Sequence, residues 1–250
     1  MRLTVVGCSG SVPGVDSPAS CYLVQAGDIS VVLDLGSGAL GHLQRHLDLR
    51  RLDAVLLSHL HPDHCIDVLA LYIARTYDPR RRYRPMPVHL PSGGAGHLAR
   101  AYGRAEHPGL EGSFEFDEWR EGTRRIGPLT VTAARMAHPV ETWGMRLEHE
   151  GRVLAFSGDT GPCDALVELA RGADLALFES SFEVERDASA PADLHMTGRD
   201  AGEAAARAGV RRLVLTHLPP WNDPAVALRD ATAAFDGPVE VAVSGATYDL

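Results

Sequence analysis

The chain has 250 residues, 45% of them hydrophobic and 23% charged, with a formal net charge of −9. That is the composition of an ordinary globular protein, and no apolar run approaches the roughly 18 residues that cross a bilayer. A protein that grips a polyanion along its length carries a basic face, so the acidic balance counts against a large nucleic-acid footprint and leaves small anionic substrates open.

The first elements in chain order are short strands at Leu3–Val6, Tyr22–Gln25 and Ser30–Leu33, divided by Gly, Pro and Ser turns. The start, Met1 to Gly7, reaches glycine before a signal-peptide core can form, so a cytoplasmic location is expected. A short helix is expected over Gly41–Leu49. An apolar strand at Asp53–Leu57 then runs straight into Ser58-His59-Leu60-His61-Pro62-Asp63-His64. Ile66–Arg75 is apolar at helical spacing. Asp78–Pro87, rich in Pro and Arg, reads as a loop or lid, and residues 94–105 as a helix. Strands follow at Leu129–Ala134, Thr142–Glu148 and Arg152–Phe156, then a helix at Cys163–Ala170 and a strand at Asp174–Phe178. Residues 184–194 read as a loop, and Thr197–Ala208 as an alanine-rich helix with Thr197 as its N-cap. Arg212–Thr216 is a strand, Pro224–Phe235 a helix and Val239–Val243 a last strand. No low-complexity linker interrupts the pattern. Two halves, each with strands first and helices after, predict one domain over 1–250 in which two sheets stack between helices. The four cysteines (Cys8, Cys21, Cys65, Cys163) form no CxxC pair and suggest neither a zinc knuckle nor a disulfide framework.

The histidine run puts three imidazoles and a carboxylate into six positions after a strand. Pro62 disfavours helix at the residue before it, which keeps the turn open. His59 and His61 can converge from that turn, while Asp63 and His64 start the next helix and point elsewhere. Such a fan suits two adjacent metal ions better than one, and imidazole with carboxylate suits Zn, Mn, Fe or Ni. A polar loop capping a helix is the plainer alternative; three histidines in six residues count against it. Further donors stand where strands give way to turns: His138, Asp159 within Ser157-Gly158-Asp159-Thr160-Gly161, and His217.

On these residues the chain resembles the metallo-β-lactamase superfamily, and within it the ribonuclease Z-like phosphodiesterase branch. The matching features are HxHxDH (His59, His61, Asp63, His64), His138, Gly158-Asp159-Thr160 and His217. The opening Gly7-Cys8-Ser9-Gly10-Ser11-Val12-Pro13, Phe178-Glu179-Ser180-Ser181-Phe182 and Leu194-His195-Met196-Thr197-Gly198 are also similar. The resemblance implies a four-layer αββα sandwich. It implies His59, His61 and His138 on one divalent ion, Asp63, His64 and His217 on a second, and Asp159 bridging both, zinc first, with manganese or iron as alternatives. It further implies attack by a metal-bridging hydroxide, with Asp63 able to accept its proton, and a catalytic His195 oriented by Glu179 that helps the leaving oxygen depart. Lactam-cleaving members that use a thiolate would show Cys where this chain has Asp159.

The tRNA-processing members carry a long flexible arm between the positions of His138 and Asp159, and the 20 residues there leave no room for one. Pro18-Ala19-Ser20, Gln44-Arg45-His46, Ser157–Gly161, Asp193-Leu194-His195 and Leu218-Pro219-Pro220-Trp221 are similar to actinobacterial cyclic-nucleotide phosphodiesterases of this fold. That similarity implies hydrolysis of 3′,5′-cyclic AMP, with a small anionic nucleotide as partner and no stable nucleic-acid partner. By resemblance the chain forms a homodimer. The alternatives are an RNA 3′-processing nuclease, a thioester or other ester hydrolase, and a metal-stabilised binding protein without turnover. Seven candidate ligands argue against the last, since a structural zinc site closes with four. Arg146 and the Arg80–Arg84 stretch are candidate substrate contacts, and Trp143 and Trp221 candidate base-stacking surfaces.

Overall fold

The computed structural model describes residues 1–79 and 84–250. Its first half opens with β1 (Arg2–Gly7), β2 (Cys21–Ala26) and β3 (Ile29–Leu33), followed by α1 (Ala39–Leu43), β4 (Ala54–Leu56), α2 (Pro62–Cys65) and α3 (Val68–Tyr77). It continues through β5 (Met86–Leu90), α4 (Gly94–Ala101) and β6 (Phe114–Glu118). The second half comprises β7 (Gly122–Ile126), β8 (Leu129–Arg135), β9 (Trp143–His149), β10 (Arg152–Phe156), α5 (Asp164–Ala170) and β11 (Leu175–Glu179). Then come α6 (Gly198–Ala208), β12 (Leu213–Thr216), α7 (Pro224–Thr232), β13 (Val239–Val241) and β14 (Thr247–Asp249).

Among the described residues the strands form two mixed sheets, ordered β14-β1-β2-β3-β4-β5-β6 and β13-β12-β11-β10-β9-β8-β7. In the first, β3 to β6 run parallel; in the second, β10 to β13 do. Strand alternation sorts the side chains into layers. Leu3, Val5, Val31, Leu33 and Leu56 meet Leu129, Val131, Met145, Leu154, Phe156 and Leu177 between the sheets. The opposite face of the first sheet (Val6, Leu23, Val55, Leu57, Val88) packs on Leu43, Val68, Leu71 and Leu98 of the helices. The opposite face of the second (Ala176, Phe178, Leu213, Leu215) packs on Leu166, Ala201, Ala205 and Ala231. The result is the expected αββα sandwich, and strands buried on both faces explain why β4 and β12 read as near-continuous apolar runs.

Several boundaries differ from the sequence expectation. The helix expected over Gly41–Leu49 is the five-residue α1, with a 3₁₀ turn at Leu49–Arg51 capped by the Asp48 side chain. The helix expected over Ile66–Arg75 is α3, Val68–Tyr77, and a separate single turn, α2, precedes it at Pro62–Cys65. The segment expected as a loop over 78–87 ends inside β5, where Pro87 is tolerated near the strand start because no ladder bond needs its missing N–H. Residues 80–83 lie outside the described residues. Strands β6, β7 and β14 were not expected; each is short, polar and at or near a sheet edge. Thr197 caps α6 as expected, in a capping box with Asp200. No described helix is long and apolar enough to cross a membrane.

Candidate metal centre

Strand ends deliver the candidate ligands to one edge of the sandwich. His59 and His61 follow β4, and His138, Asp159 and His217 follow β8, β10 and β12. Three of these strands are parallel, and their carboxyl ends are where open α/β sheets present their sites. His61 is extended (φ −64°, ψ 146°) because Pro62 opens α2 directly behind it. Asp63 and His64 therefore leave from the first turn of α2, as the sequence requires.

Two groups of donors result. His59, His61, His138 and Asp159 offer atoms within 4.8 Å of one another, as do Asp63, His64 and His217. Within the first group His59 Nε2 lies 3.0 Å from His61 Nδ1. Within the second, His64 Nε2 lies 3.0 Å from His217 Nε2, which is 3.1 Å from Asp63 Oδ2. Asp159 stands between them, with Oδ2 3.6 Å from His59 Nε2 and Oδ1 3.3 Å from His64 Nε2. A third set joins Asp159 and His217 to His195.

The outer nitrogens of four rings are committed elsewhere. His64 Nδ1 is 2.7 Å from the Asp34 carboxylate, His59 Nδ1 3.0 Å from Ser58 Oγ, His138 Nδ1 2.8 Å from the Leu194 carbonyl and His217 Nδ1 2.8 Å from Ser181 Oγ. With Nδ1–H donated outward, each neutral ring turns a lone pair inward. Lone pairs about 3 Å apart need a shared proton or a cation between them. His138 Nε2 and Asp159 Oδ1 are buried without any hydrogen-bond partner, which costs free energy unless something else satisfies them. The donor set thus fits divalent ions bound by imidazole and carboxylate.

Electrostatics agree. Burial pushes His59 well below the ordinary imidazole range and lowers His61 and His138. Burial also opposes charge on His64, but the carboxylates of Asp159 and Asp34 more than reverse it and raise its pKa. Burial works to raise Asp159, yet the imidazoles of His217, His64 and His59 hold it well below the carboxylate range. Burial thus favours the neutral, ligating form of His59, His61 and His138, and the imidazoles favour the ionised form of Asp159, while the carboxylates beside His64 favour its charge.

His195 and Glu179 are brought together beside this space. His195 Nδ1 is 2.8 Å from Glu179 Oε1, and despite burial the glutamate's charge lifts the imidazole to about 9. Glu179 is not the surface carboxylate a strand end could have held. It is 1% exposed, and it also accepts from Thr160 N–H (2.8 Å) and from the N–H (3.2 Å) and Oγ (2.9 Å) of Ser181.

Sequence reasoning missed Asp34, Ser58 and Ser181 as supports of the site. Asp34 follows β3 fully buried, accepts from Ser58 N–H and Oγ, and holds His64. Its one local mark was a carboxylate directly after an apolar strand, which by itself points to no ligand. Asp34 and His217 are also two of the few described non-glycine residues in the left-handed region, at φ 59° and 58°. Such backbone costs about 1–3 kcal/mol and clusters at functional sites. Other candidates fall away from the centre. Arg146 donates to the carbonyls of Leu169 and Arg171 and pairs with Glu148, so it closes the end of α5 and is no substrate contact. Trp143 is 5% exposed with its indole N–H on Glu141, which makes it core. Trp221 is 63% exposed. Arg80, Arg81 and Arg82 lie outside the described residues, and the backbone carbonyl of Arg84 accepts from buried Arg75.

Comparison with known proteins agrees with this arrangement. The family model described as "Beta-lactamase superfamily domain" matches residues 30–218. An uncharacterized protein of Mycobacterium leprae is 46% identical over 259 residues, covering 100% of this chain and 89% of that protein. YhfI of Bacillus subtilis, described as a probable metallo-hydrolase, is 30% identical over 259 residues and 100% of both chains. The crystal structure of that metallo-beta-lactamase fold protein superposes with a TM-score of 0.87 at 28% identity over 99% of each chain. A ribonuclease Z of Myxococcus xanthus is 30% identical over 302 aligned residues, 100% of this chain and 98% of that protein. With a matching superfamily model, an end-to-end metallo-hydrolase relative and two donor groups at the edge of the sandwich, the chain belongs to the beta-lactamase superfamily, as a metal-dependent hydrolase of the metallo-β-lactamase fold.

Proposed function

We propose that the chain is a dinuclear phosphodiesterase that hydrolyses 3′,5′-cyclic nucleotides, cyclic AMP foremost. His59, His61 and His138 would hold one divalent ion, Asp63, His64 and His217 the other, and Asp159 would bridge them, with zinc the first candidate and manganese or iron the alternatives. Two such ions would supply a nucleophile from water near neutral pH and would stabilise the attacking and leaving oxygens of an in-line displacement at phosphorus. The observation that carries the proposal is Asp159, a carboxylate within 3.6 Å of a histidine in each group. Asp63, buried beside His64 and His217, would accept the proton of the attacking water. His195, held through Nδ1 by Glu179, presents Nε2 to the leaving oxygen and gives up its proton there.

A compact substrate is supported by the His138–Asp159 interval, which β9 and β10 occupy without a projecting arm. The alignment with ribonuclease Z runs over 302 positions against 250 residues of this chain, so that relative carries insertions this chain lacks. Its 30% identity nonetheless favours tRNA 3′ processing as the second reading, ahead of another ester or thioester hydrolase. The test is turnover of cyclic AMP, a tRNA precursor and a thioester by metal-loaded protein, with and without chelator. Cleavage of cyclic AMP that chelator removes is expected; cleavage of the tRNA precursor alone would transfer the function to RNA processing. Asp63→Ala should fold and lose activity by at least the 10²–10⁴-fold typical of a proton acceptor, and a fully active variant would refute its role.

A further inference from the structure

We propose that the segment 183–194 is a strap that sets His195 over the leaving oxygen, with Arg186 and Gly161 as the positioning residues at its two ends. The inference rests on the reading of His195 as the proton donor. The segment joins β11 to α6, has no strand or helix of its own and is largely exposed, yet it delivers His195 to a site where small displacements are costly. Such a loop holds one geometry only if it is pinned.

Its outer end is pinned through side chains. Asp187 accepts from Glu183 N–H at 2.8 Å and closes a turn. Arg186 pairs with Asp187 (2.6 Å) and Glu183 (3.3 Å), and its guanidinium donates to Asn222 Oδ1 at 2.9 Å. Asn222 in turn donates to the Ser181 carbonyl at 2.8 Å and stands in the turn that follows His217. The strap is thereby referred to the second donor group. Its inner end is pinned through backbone. The Leu194 carbonyl accepts from His138 Nδ1 at 2.8 Å, which refers the strap to the first donor group. The Ala192 carbonyl lies against Gly161 so closely that an added Cβ would stand 1.9 Å from it. Gly161 has no positive φ, so this position demands glycine for space and not for backbone conformation. Its neighbour Thr160 donates N–H to Glu179 Oε1, the same oxygen that faces His195 Nδ1.

As a surface ion pair alone, Arg186 would contribute little, and its loss would leave the chemistry unchanged. As a pin, it acts on the proton-transfer step only: the P–O bond to the leaving group breaks, and the departing oxygen takes the proton from His195 Nε2. That step matters for an alkoxide and not for p-nitrophenolate, which leaves without a proton.

The experiment compares cyclic AMP with bis(p-nitrophenyl) phosphate on metal-loaded wild type, His195→Ala, Arg186→Ala, Gly161→Ala and the Arg186→Ala/His195→Ala pair, with amide hydrogen exchange over 183–195 on the same proteins. His195→Ala is expected to lose about 10²–10⁴-fold on cyclic AMP and little on the aryl ester. Arg186→Ala should lose roughly tenfold on cyclic AMP, a part of that general-acid factor, and show faster exchange across the strap. It should cost nothing further once His195 is gone, because coupled residues are not additive. Gly161→Ala should behave likewise with a larger loss; Arg186, being exposed, keeps the test open if that variant does not fold. If wild type cleaves only the aryl ester, or His195→Ala slows both substrates equally, the proton-donor reading fails and the strap with it. If His195→Ala separates the substrates while Arg186→Ala does not, or strap exchange is unchanged, the strap inference alone is overturned.

Discussion

Which ring nitrogen faces the centre is decided outside it. His59, His64, His138 and His217 each direct one nitrogen to Ser58, Asp34, the Leu194 carbonyl or Ser181, and so present the other inward. Asp34 is the most exacting of these partners, because one buried carboxylate fixes both His64 and the Ser58 that fixes His59. Burial pushes its carboxyl up, so its charge is sustained by the groups it orients. Asp34→Asn tests this cleanly, since asparagine tolerates the positive φ of the position and the change removes charge without adding strain. The variant should remain folded and bind metal about 10–100-fold more weakly, the usual cost of losing such an outer partner. Metal titration monitored by calorimetry would show it; wild-type affinity would deny Asp34 this role.

At the scale of elements, what the sequence revealed follows from burial. Strands β4, β10, β11 and β12 are buried on both faces and stand out as apolar runs, and each ends at a turn whose polar residue belongs to the site or its support. The four metal-site motifs were legible because chemistry concentrates rare residue types at those ends. Edge strands carry no such mark: Gly122–Ile126 reads Gly-Thr-Arg-Arg-Ile because its polar face meets solvent, and Thr247–Asp249 is a three-residue strand with two exposed polar residues, held by pairing with β1 and by buried Tyr248. Asp34 and Ser181 escaped notice because their roles come from long-range packing that no local spacing encodes. Trp221 was left open by sequence, and its element gives it a part. It sits on the turn closed by the Asn222 N–H to Pro219 carbonyl bond, four residues after His217, and is 63% exposed where Trp119 and Trp143 are core. An aromatic face there offers a nucleobase a surface, and base stacking is worth about 1–3 kcal/mol by alanine substitution. Trp221→Ala should therefore raise KM for cyclic AMP roughly tenfold and leave kcat unchanged. An unaltered KM would assign the base to another surface.

At the scale of the molecule, the donors join the two sheets. His59, His61, Asp63 and His64 come from the first sheet and the helix that follows it, and His138, Asp159 and His217 from the second. Near this edge the sheets are tied by the backbone N–H of Trp143 to the Ser58 carbonyl and by the Tyr22–Thr216 hydroxyl pair at 2.7 Å, beside the packing of Tyr22 on Phe156. Without cations, His64 Nε2 from the side of the first sheet faces His217 Nε2 from the second at 3.0 Å and Asp159 Oδ1 has no hydrogen-bond partner, so the edge resists closure. Ions bound by the folded chain and not by the unfolded one stabilise by RT ln(1 + [L]/Kd), about 2.7 kcal/mol at a free concentration of a hundred times Kd. For a chain of this size, about 2–4 °C of Tm per kcal/mol gives a rise of roughly 5–11 °C. Chelation should lower Tm by that amount in one cooperative transition, and zinc added back should restore it. Asp159→Asn should shrink the shift most, because among the described residues Asp159 stands within 3.6 Å of a histidine in each group. If chelation removes the metal and Tm does not move, binding does not couple the sheets. If two transitions separate, the halves are independently stable and the site only spans them.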